Sequence, residues 1–133
     1  MRVVIQRVKE ASVSVQGVKI SEIQKGLLIL VGVETLDTQQ DIDWLVAKVA
    51  KLRIFEDSLG AMNVSLQDIG ADVIVVSQFT LHASTKKGNR PSFIKAAKPE
   101  VAIPLYQEFV DSLEMQLDKK IQTGQFGAMM DVA

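Results

Sequence analysis

Hydrophobic positions in this chain follow two rhythms, and the switch between them marks its elements. Near the N-terminus Val3 and Ile5 alternate with polar neighbours. Val13 and Val15 do the same between serines, ahead of a Gln16-Gly17 turn. Val18, Ile20 and Ile23 lead to Lys25-Gly26, after which Leu27 to Val33 runs almost uninterrupted. Period-two alternation predicts half-exposed strands, and a short continuous apolar run predicts a strand covered on both faces. The first third therefore reads as an antiparallel meander around a central strand.

From Thr38 to Lys51 the period lengthens. Ile42, Leu45, Val46 and Val49 recur at helical spacing, with Asp37 or Thr38 as cap and Asp41 in the first turn. Lys48 and Lys51 lie where a helix dipole favours cations. Leu52 to Phe55 reads as a short strand, residues 57–60 as a turn, and Met62 to Leu66 as extended. Val73-Ile74-Val75-Val76 is a second buried strand. A second helix is predicted over about 99–118, burying Val101, Leu105, Phe109, Val110, Leu113 and Leu117, with Pro104 marking its first turn or a kink. Phe126 to Val132 reads as a last extended piece. No linker or repeat interrupts the chain, so residues 1–133 are expected to form one domain. The predicted class is α+β: a mostly antiparallel, strongly curved or barrel-like sheet with two main helices.

Composition narrows the field. With 133 residues and 47% hydrophobic content the chain is long enough to build a core without staples. It has no cysteine, which removes disulfides, thiolate metal sites and cysteine nucleophiles. No apolar stretch approaches a membrane span and the N-terminus lacks a signal-like apolar region, so a cytoplasmic location is expected. A net charge of −1 argues against a general nucleic-acid binder. The dense cationic patch is Lys86, Lys87 and Arg90, with Lys95 and Lys98 beyond it. Any polyanion contact is thus expected to be local.

Residues 77–93 carry the candidate chemistry. The strand 73–76 delivers Ser77, Gln78, Phe79 and Thr80 from the core to its end, and the basic loop Lys86-Lys87-Gly88-Asn89-Arg90 follows. Hydrogen-bonding groups on a rigid strand end beside a cationic loop suit a ligand with a small uncharged head and a phosphate-bearing body. Read alone, Ser77 and Thr80 are equally at home as caps of nearby backbone, and Phe79 as a core aromatic. His82 is the single histidine; without an orienting partner it reads as a partly exposed loop residue rather than a general base. No nucleophile elbow, zinc spacing or phosphate-loop fingerprint is present.

These segments closely resemble the D-aminoacyl-tRNA deacylases, also called D-tyrosyl-tRNA deacylases. The resemblance rests on Ser77-Gln78-Phe79-Thr80-Leu81 followed by Lys87-Gly88-Asn89-Arg90-Pro91-Ser92-Phe93. It extends to Met1–Val8, Gly26–Glu34, Leu52–Phe55, Met62-Asn63 and Thr123–Phe126. It implies a homodimeric editing hydrolase, with neither metal nor organic cofactor, that cleaves the ester between a D-amino acid and the terminal ribose of tRNA. Glycine loaded on alanine tRNA is a further implied substrate; membrane and DNA are not implied partners. By the same resemblance, main-chain groups around Ser77, Gln78, Phe79 and Thr80 and the 2′-hydroxyl of the tRNA carry the catalysis. A threonine nucleophile at Thr80 ranks second. Substrate binding is assigned to Arg7, Lys86, Lys87, Arg90, Pro91, Ser92 and Phe93, with Phe126, Ala128 and Met130 at the pocket. The family continues beyond the segment matching Met130-Asp131-Val132 into a Gly-cis-Pro motif that enters the partner's pocket and rejects L side chains. This sequence contains no Gly-Pro dipeptide, so its C-terminal tail reads as missing.

Overall fold

The computed structural model describes residues 1–133. Nine strands and three α-helices follow the order β1 (Arg2–Val8), β2 (Ala11–Val15), β3 (Val18–Ile23), β4 (Gly26–Gly32), α1 (Gln39–Lys51), β5 (Phe55–Glu56), β6 (Met62–Val64), α2 (Leu66–Ile69), β7 (Asp72–Ser77), α3 (Pro99–Leu117), β8 (Gln122–Thr123) and β9 (Met130–Val132). A single 3₁₀ turn, Phe79–Leu81, sits directly beyond β7.

The α+β class stands and most strand pairs are antiparallel, but the strands do not close into a barrel. Three separate sheets form, in the orders β1-β4-β7-β8, β3-β2-β9 and β5-β6. In the largest, β1 runs antiparallel to β4, whereas β4–β7 and β7–β8 are parallel. Parallel neighbours need long crossovers, and the helices supply them: α1 and α2 lie between β4 and β7 in sequence, and α3 between β7 and β8. The supposed meander is also divided, since β1 and β2 join different sheets.

Three layers explain the hydrophobic runs. In β4 and β7, Leu27, Ile29, Val31, Val73 and Val75 pack with Ile42, Val46, Val49, Phe109, Val110 and Leu113 of the long helices. On the opposite face Ile74 and Val76 pack against Ala11, Val13 and Ile23 of the small sheet, with Leu28 and Leu30 alongside. A strand covered on both faces cannot alternate with polar residues, which is why 27–33 and 73–76 are continuous.

Helix α1 starts as predicted: the Asp41 carboxylate accepts the Thr38 N–H at 2.8 Å, completing a capping box. Helix α3 opens on Pro99 and continues through Pro104, so the second proline lies inside the helix. Its buried face includes Ala102 and Tyr106, while Val101 is 38% exposed. Strand pairing near residues 52–55 reaches only Phe55, and Leu66 begins the short helix α2 instead of ending a strand. Likewise, only Met130–Val132 of the predicted 126–132 piece pairs, with β2. Gly127, at φ +77°, allows the turn that precedes it.

Candidate active site

The end of β7 is held in the sheet to its last residue. Val31 of β4 pairs with Ser77, and the Gln78 N–H continues the ladder to the Val31 carbonyl at 2.8 Å. The chain then tightens into the 3₁₀ turn, with the Leu81 N–H donating to Gln78 and the His82 N–H to Phe79, at 3.3 and 3.1 Å. Such a turn leaves its first N–H groups, those of Phe79 and Thr80, without acceptors inside the turn. The Gln78 side-chain amide donates to the Thr80 hydroxyl.

This strand end closes a cavity of about 360 Å³. Its walls are mostly apolar: Val31 and Val33 from β4 and the residue after it, Val76 from β7, and Ala102 and Tyr106 from α3. Ser77, Gln78 and Phe79 supply the rim, and Phe126, Ala128, Met129, Met130 and Val132 form the opposite side. The Tyr106 hydroxyl donates to the Val75 carbonyl at 2.8 Å, and its ring lies 5.9 Å from that of Phe126. Burial pushes the Tyr106 phenol up to about 12, because the charged form would lose its hydration. An apolar chamber with a few hydrogen-bonding groups at one edge is the common form of a small-ligand site.

A second cavity, of about 620 Å³, lies on the other side of the turn. Its walls include Arg2, His82, Lys86, Lys87, Arg90, Ser92 and Lys95. The loop that builds it is pinned at its base, where Ser84 and Ser92 exchange backbone hydrogen bonds of 2.8 and 2.9 Å. Phe93 packs edge-on against Phe79, with 5.4 Å between ring centres, tying this loop to the rim of the apolar cavity.

The residues singled out in the sequence thus divide into four groups. Ser77, Gln78, Phe79, Phe126, Ala128 and Met130 meet around the apolar cavity. Lys86, Lys87, Arg90 and Ser92 line the basic one. Thr80, Pro91 and Phe93 belong to neither lining, although Phe93 supports Phe79. Arg7 stands apart. Its guanidinium donates to the Ile54 carbonyl at 2.7 Å, in a separate cleft with Lys25, Phe55 and Glu56.

Two side chains depart from their expected settings. Phe79 is 56% exposed and not a core aromatic, because the turn directs the chain off the sheet before it can enter either packed layer. His82 is only 3% exposed rather than a surface loop residue. The turn presses it onto β4, where its Cδ2 lies 3.0 Å from the position a Cβ on Gly32 would take. Sequence reasoning missed Val31, Val33, Ala102 and Tyr106 in the first cavity and Arg2 in the second. Helical spacing does place Tyr106 on the same side of α3 as Phe109, Val110 and Leu113. Nothing local in the sequence marks the others.

Comparison with known proteins places the chain in a family. A family model described as D-Tyr-tRNA(Tyr) deacylase matches residues 4–133. The D-aminoacyl-tRNA deacylase of Flavobacterium johnsoniae is 67% identical over 132 residues, covering 99% of this chain and 88% of the relative. That of Bacteroides fragilis strain YCH46 is 58% identical over 132 residues, again covering 99% and 88%. Among solved structures, one named "c-Myc DNA Unwinding Element Binding Protein" superposes with a TM-score of 0.93 at 39% identity, covering 99% of this chain and 89% of its own. Another, described as a probable eukaryotic D-amino acid tRNA deacylase, shares the fold alone: its TM-score is 0.87 at 15% identity, covering 98% and 91%. With a family match over nearly every residue and relatives this similar along the whole length, the chain belongs to the D-Tyr-tRNA(Tyr) deacylase family.

Proposed function

We propose that this protein hydrolyses the ester of D-aminoacyl-tRNA, releasing the free D-amino acid and tRNA, and that glycine on alanine tRNA is a second substrate. The observation that carries the reading is the rim at Ser77–Thr80. In its 3₁₀ turn the Phe79 and Thr80 N–H groups have no acceptor, and Phe79 borders an apolar chamber large enough for an amino-acid side chain. Fixed N–H donors suit the oxyanion that develops when an ester carbonyl is attacked, and they need no reorganisation during the reaction. An aminoacyl ester is already activated, so orientation of a water or of the neighbouring ribose 2′-hydroxyl supplies much of the remaining acceleration. Ser77 and Gln78 shape the edge of the chamber and hydrogen-bond the substrate there. Phe126, Ala128 and Met130 form its far wall.

Thr80 positions the adenosine end and is not the nucleophile. Its hydroxyl faces the Gln78 amide, a donor that cannot take up a proton, whereas a hydroxyl nucleophile needs an adjacent base. Lys86, Lys87 and Arg90 contact phosphates near the acceptor terminus, with Pro91, Ser92 and Phe93 holding the loop in place. Tight clustering of these cations on a chain of net charge −1 fits a local grip on one RNA end. A long duplex would need a broader basic face, so DNA is not the partner despite the name of one structural neighbour. The working form is a homodimer, with the pocket at the subunit interface. Exposed Phe79, Met129 and Val132 around the cavity mouth supply apolar surface for that contact. Arg7 lies in its own cleft and does not line the chamber.

The deciding experiment compares D-Tyr-tRNA and L-Tyr-tRNA as substrates. Cleavage of the D ester with the L ester spared is the expected result. Equal cleavage of both removes chiral rejection, and binding of tRNA without cleavage of either reduces the protein to an RNA-end binder.

A further inference from the structure

His82 is the one buried side chain whose polar atoms find no hydrogen-bond partner: neither Nδ1 nor Nε2 is satisfied. The nearest acid, Glu34, approaches Nδ1 only to 3.8 Å, beyond hydrogen-bond reach. Orphaned buried polar groups are rare because each forfeits its hydration, and one that persists calls for an explanation. His82 is among the residues lining the larger cavity, with its ring nitrogens buried just behind that surface, together with Arg2, Lys86, Lys87, Arg90 and Lys95. No carboxylate is among the residues lining that cavity, so its five cations repel one another without internal compensation. Arg2, another lining residue, is held by its Nη1, which donates to the Leu81 carbonyl at 2.9 Å.

We propose that this cavity is a phosphate subsite for the acceptor strand, and that His82 is a binding residue within it. A backbone phosphate entering among the five cations allows the imidazole to turn about its broad terminal torsion and donate an N–H to a phosphate oxygen. The 3₁₀ turn joins the two sites. Its first residue, Phe79, forms the rim of the apolar chamber, and its cap, His82, lies in the phosphate cavity. Seating a phosphate therefore fixes the distance at which the nucleotide's ester end meets the rim. The inference rests on the deacylase reading only for the identity of the strand; the phosphate chemistry stands on the cavity.

Because His82 is the single histidine, its imidazole proton resonances report on the cavity without ambiguity. The intact protein is titrated with a CCA-ended acceptor-stem oligonucleotide, with adenosine, and with inorganic phosphate. A saturable shift of the His82 signals with the oligonucleotide, none with adenosine and a weaker one with phosphate is the expected pattern. Binding of the oligonucleotide with those signals unmoved overturns the proposal. A response to inorganic phosphate but not to the oligonucleotide makes the cavity a free-anion site, which also overturns it.

Kinetics provide the second arm. His82→Leu is expected to raise KM for D-Tyr-tRNA about tenfold, equivalent to about 1.4 kcal/mol, with a smaller effect on kcat. The donor-retaining His82→Gln recovers most of that loss. A purely structural role predicts the opposite pattern, since replacing an unsatisfied imidazole by an apolar side chain leaves stability equal or higher. Equal damage to KM and kcat, or no recovery by glutamine, refutes the assignment. Should the unmodified protein fail to cleave D-Tyr-tRNA while the oligonucleotide still moves the His82 signals, the deacylase reading falls and the phosphate subsite stands.

Discussion

Gly32→Ala tests whether the rim depends on the packing beneath it. Gly32 ends β4 directly under the 3₁₀ turn, and an added methyl would sit 3.0 Å from the Gln78 carbonyl oxygen, His82 Cδ2 and the Leu81 Cβ. Its φ is not positive, so alanine suffers no backbone strain and the effect is steric alone. The Gln78 backbone gives least. Gln78 is held by its bond to the Val31 carbonyl at 2.8 Å, and His82 is buried. Overpacking of this kind costs about 1–3 kcal/mol, while replacing a strand glycine returns about 0.5–1 kcal/mol of chain entropy. A net loss of up to about 2.5 kcal/mol follows, too little to unfold a protein of ordinary stability. The turn must still move by a few tenths of an ångström. Since roughly 1 Å of misplacement costs about 10²-fold in rate, turnover should fall about three- to tenfold in molecules that remain folded. Urea unfolding measures the first quantity, and single-turnover cleavage of D-Tyr-tRNA the second. A variant with unchanged turnover and a stability loss of that size would show that the rim geometry does not set the rate, and the main-chain account would fail.

Thr80→Ala should retain turnover within about tenfold, because removing a positioning contact is worth roughly 1 kcal/mol; a loss beyond about 10⁴-fold would identify the hydroxyl as the nucleophile. Tyr106→Phe should cost about 1 kcal/mol in a urea melt, a modest figure because the Val75 carbonyl keeps the Gly124 N–H at 3.1 Å; a loss above about 3 kcal/mol would mean that the hydroxyl organises more than this carbonyl. As the only tyrosine, Tyr106 should show a tyrosinate absorbance midpoint near pH 12, and a midpoint at the ordinary value near pH 10 would contradict its burial. Its raised pKa also fixes the sign of the pH dependence: the unfolded chain ionises first, so stability is whole below about pH 10 and falls toward pH 12, by on the order of 2 kcal/mol. That component of the alkaline loss should vanish in Tyr106→Phe.

The local pattern determined a good deal. Helix α1 was legible because its apolar spacing and its Thr38–Asp41 start agree, and both act within one turn of chain. The buried character of β4 and β7 was legible because continuous apolar runs need cover on both faces. The motif Ser77–Thr80 and the basic loop could be placed at one strand end for the same reason. Strand partners were another matter. Continuous hydrophobicity says that a strand is central and not which way its neighbours run, so a mostly antiparallel, barrel-like sheet was expected without the parallel β4–β7 and β7–β8 pairs at its centre. The helical segments between those strands were the available clue, since a crossover helix feeds a parallel neighbour. Tertiary structure alone brought Val31, Tyr106 and Phe126 around one chamber, through contacts between residues far apart in sequence. It alone set Phe79 outside the core and His82 inside it. Those two settings arise from a turn whose direction is fixed by the sheet behind it and by the space that Gly32 leaves. Residue type reports how much a side chain gains by leaving water, whereas the surrounding fold decides whether it has anywhere to go.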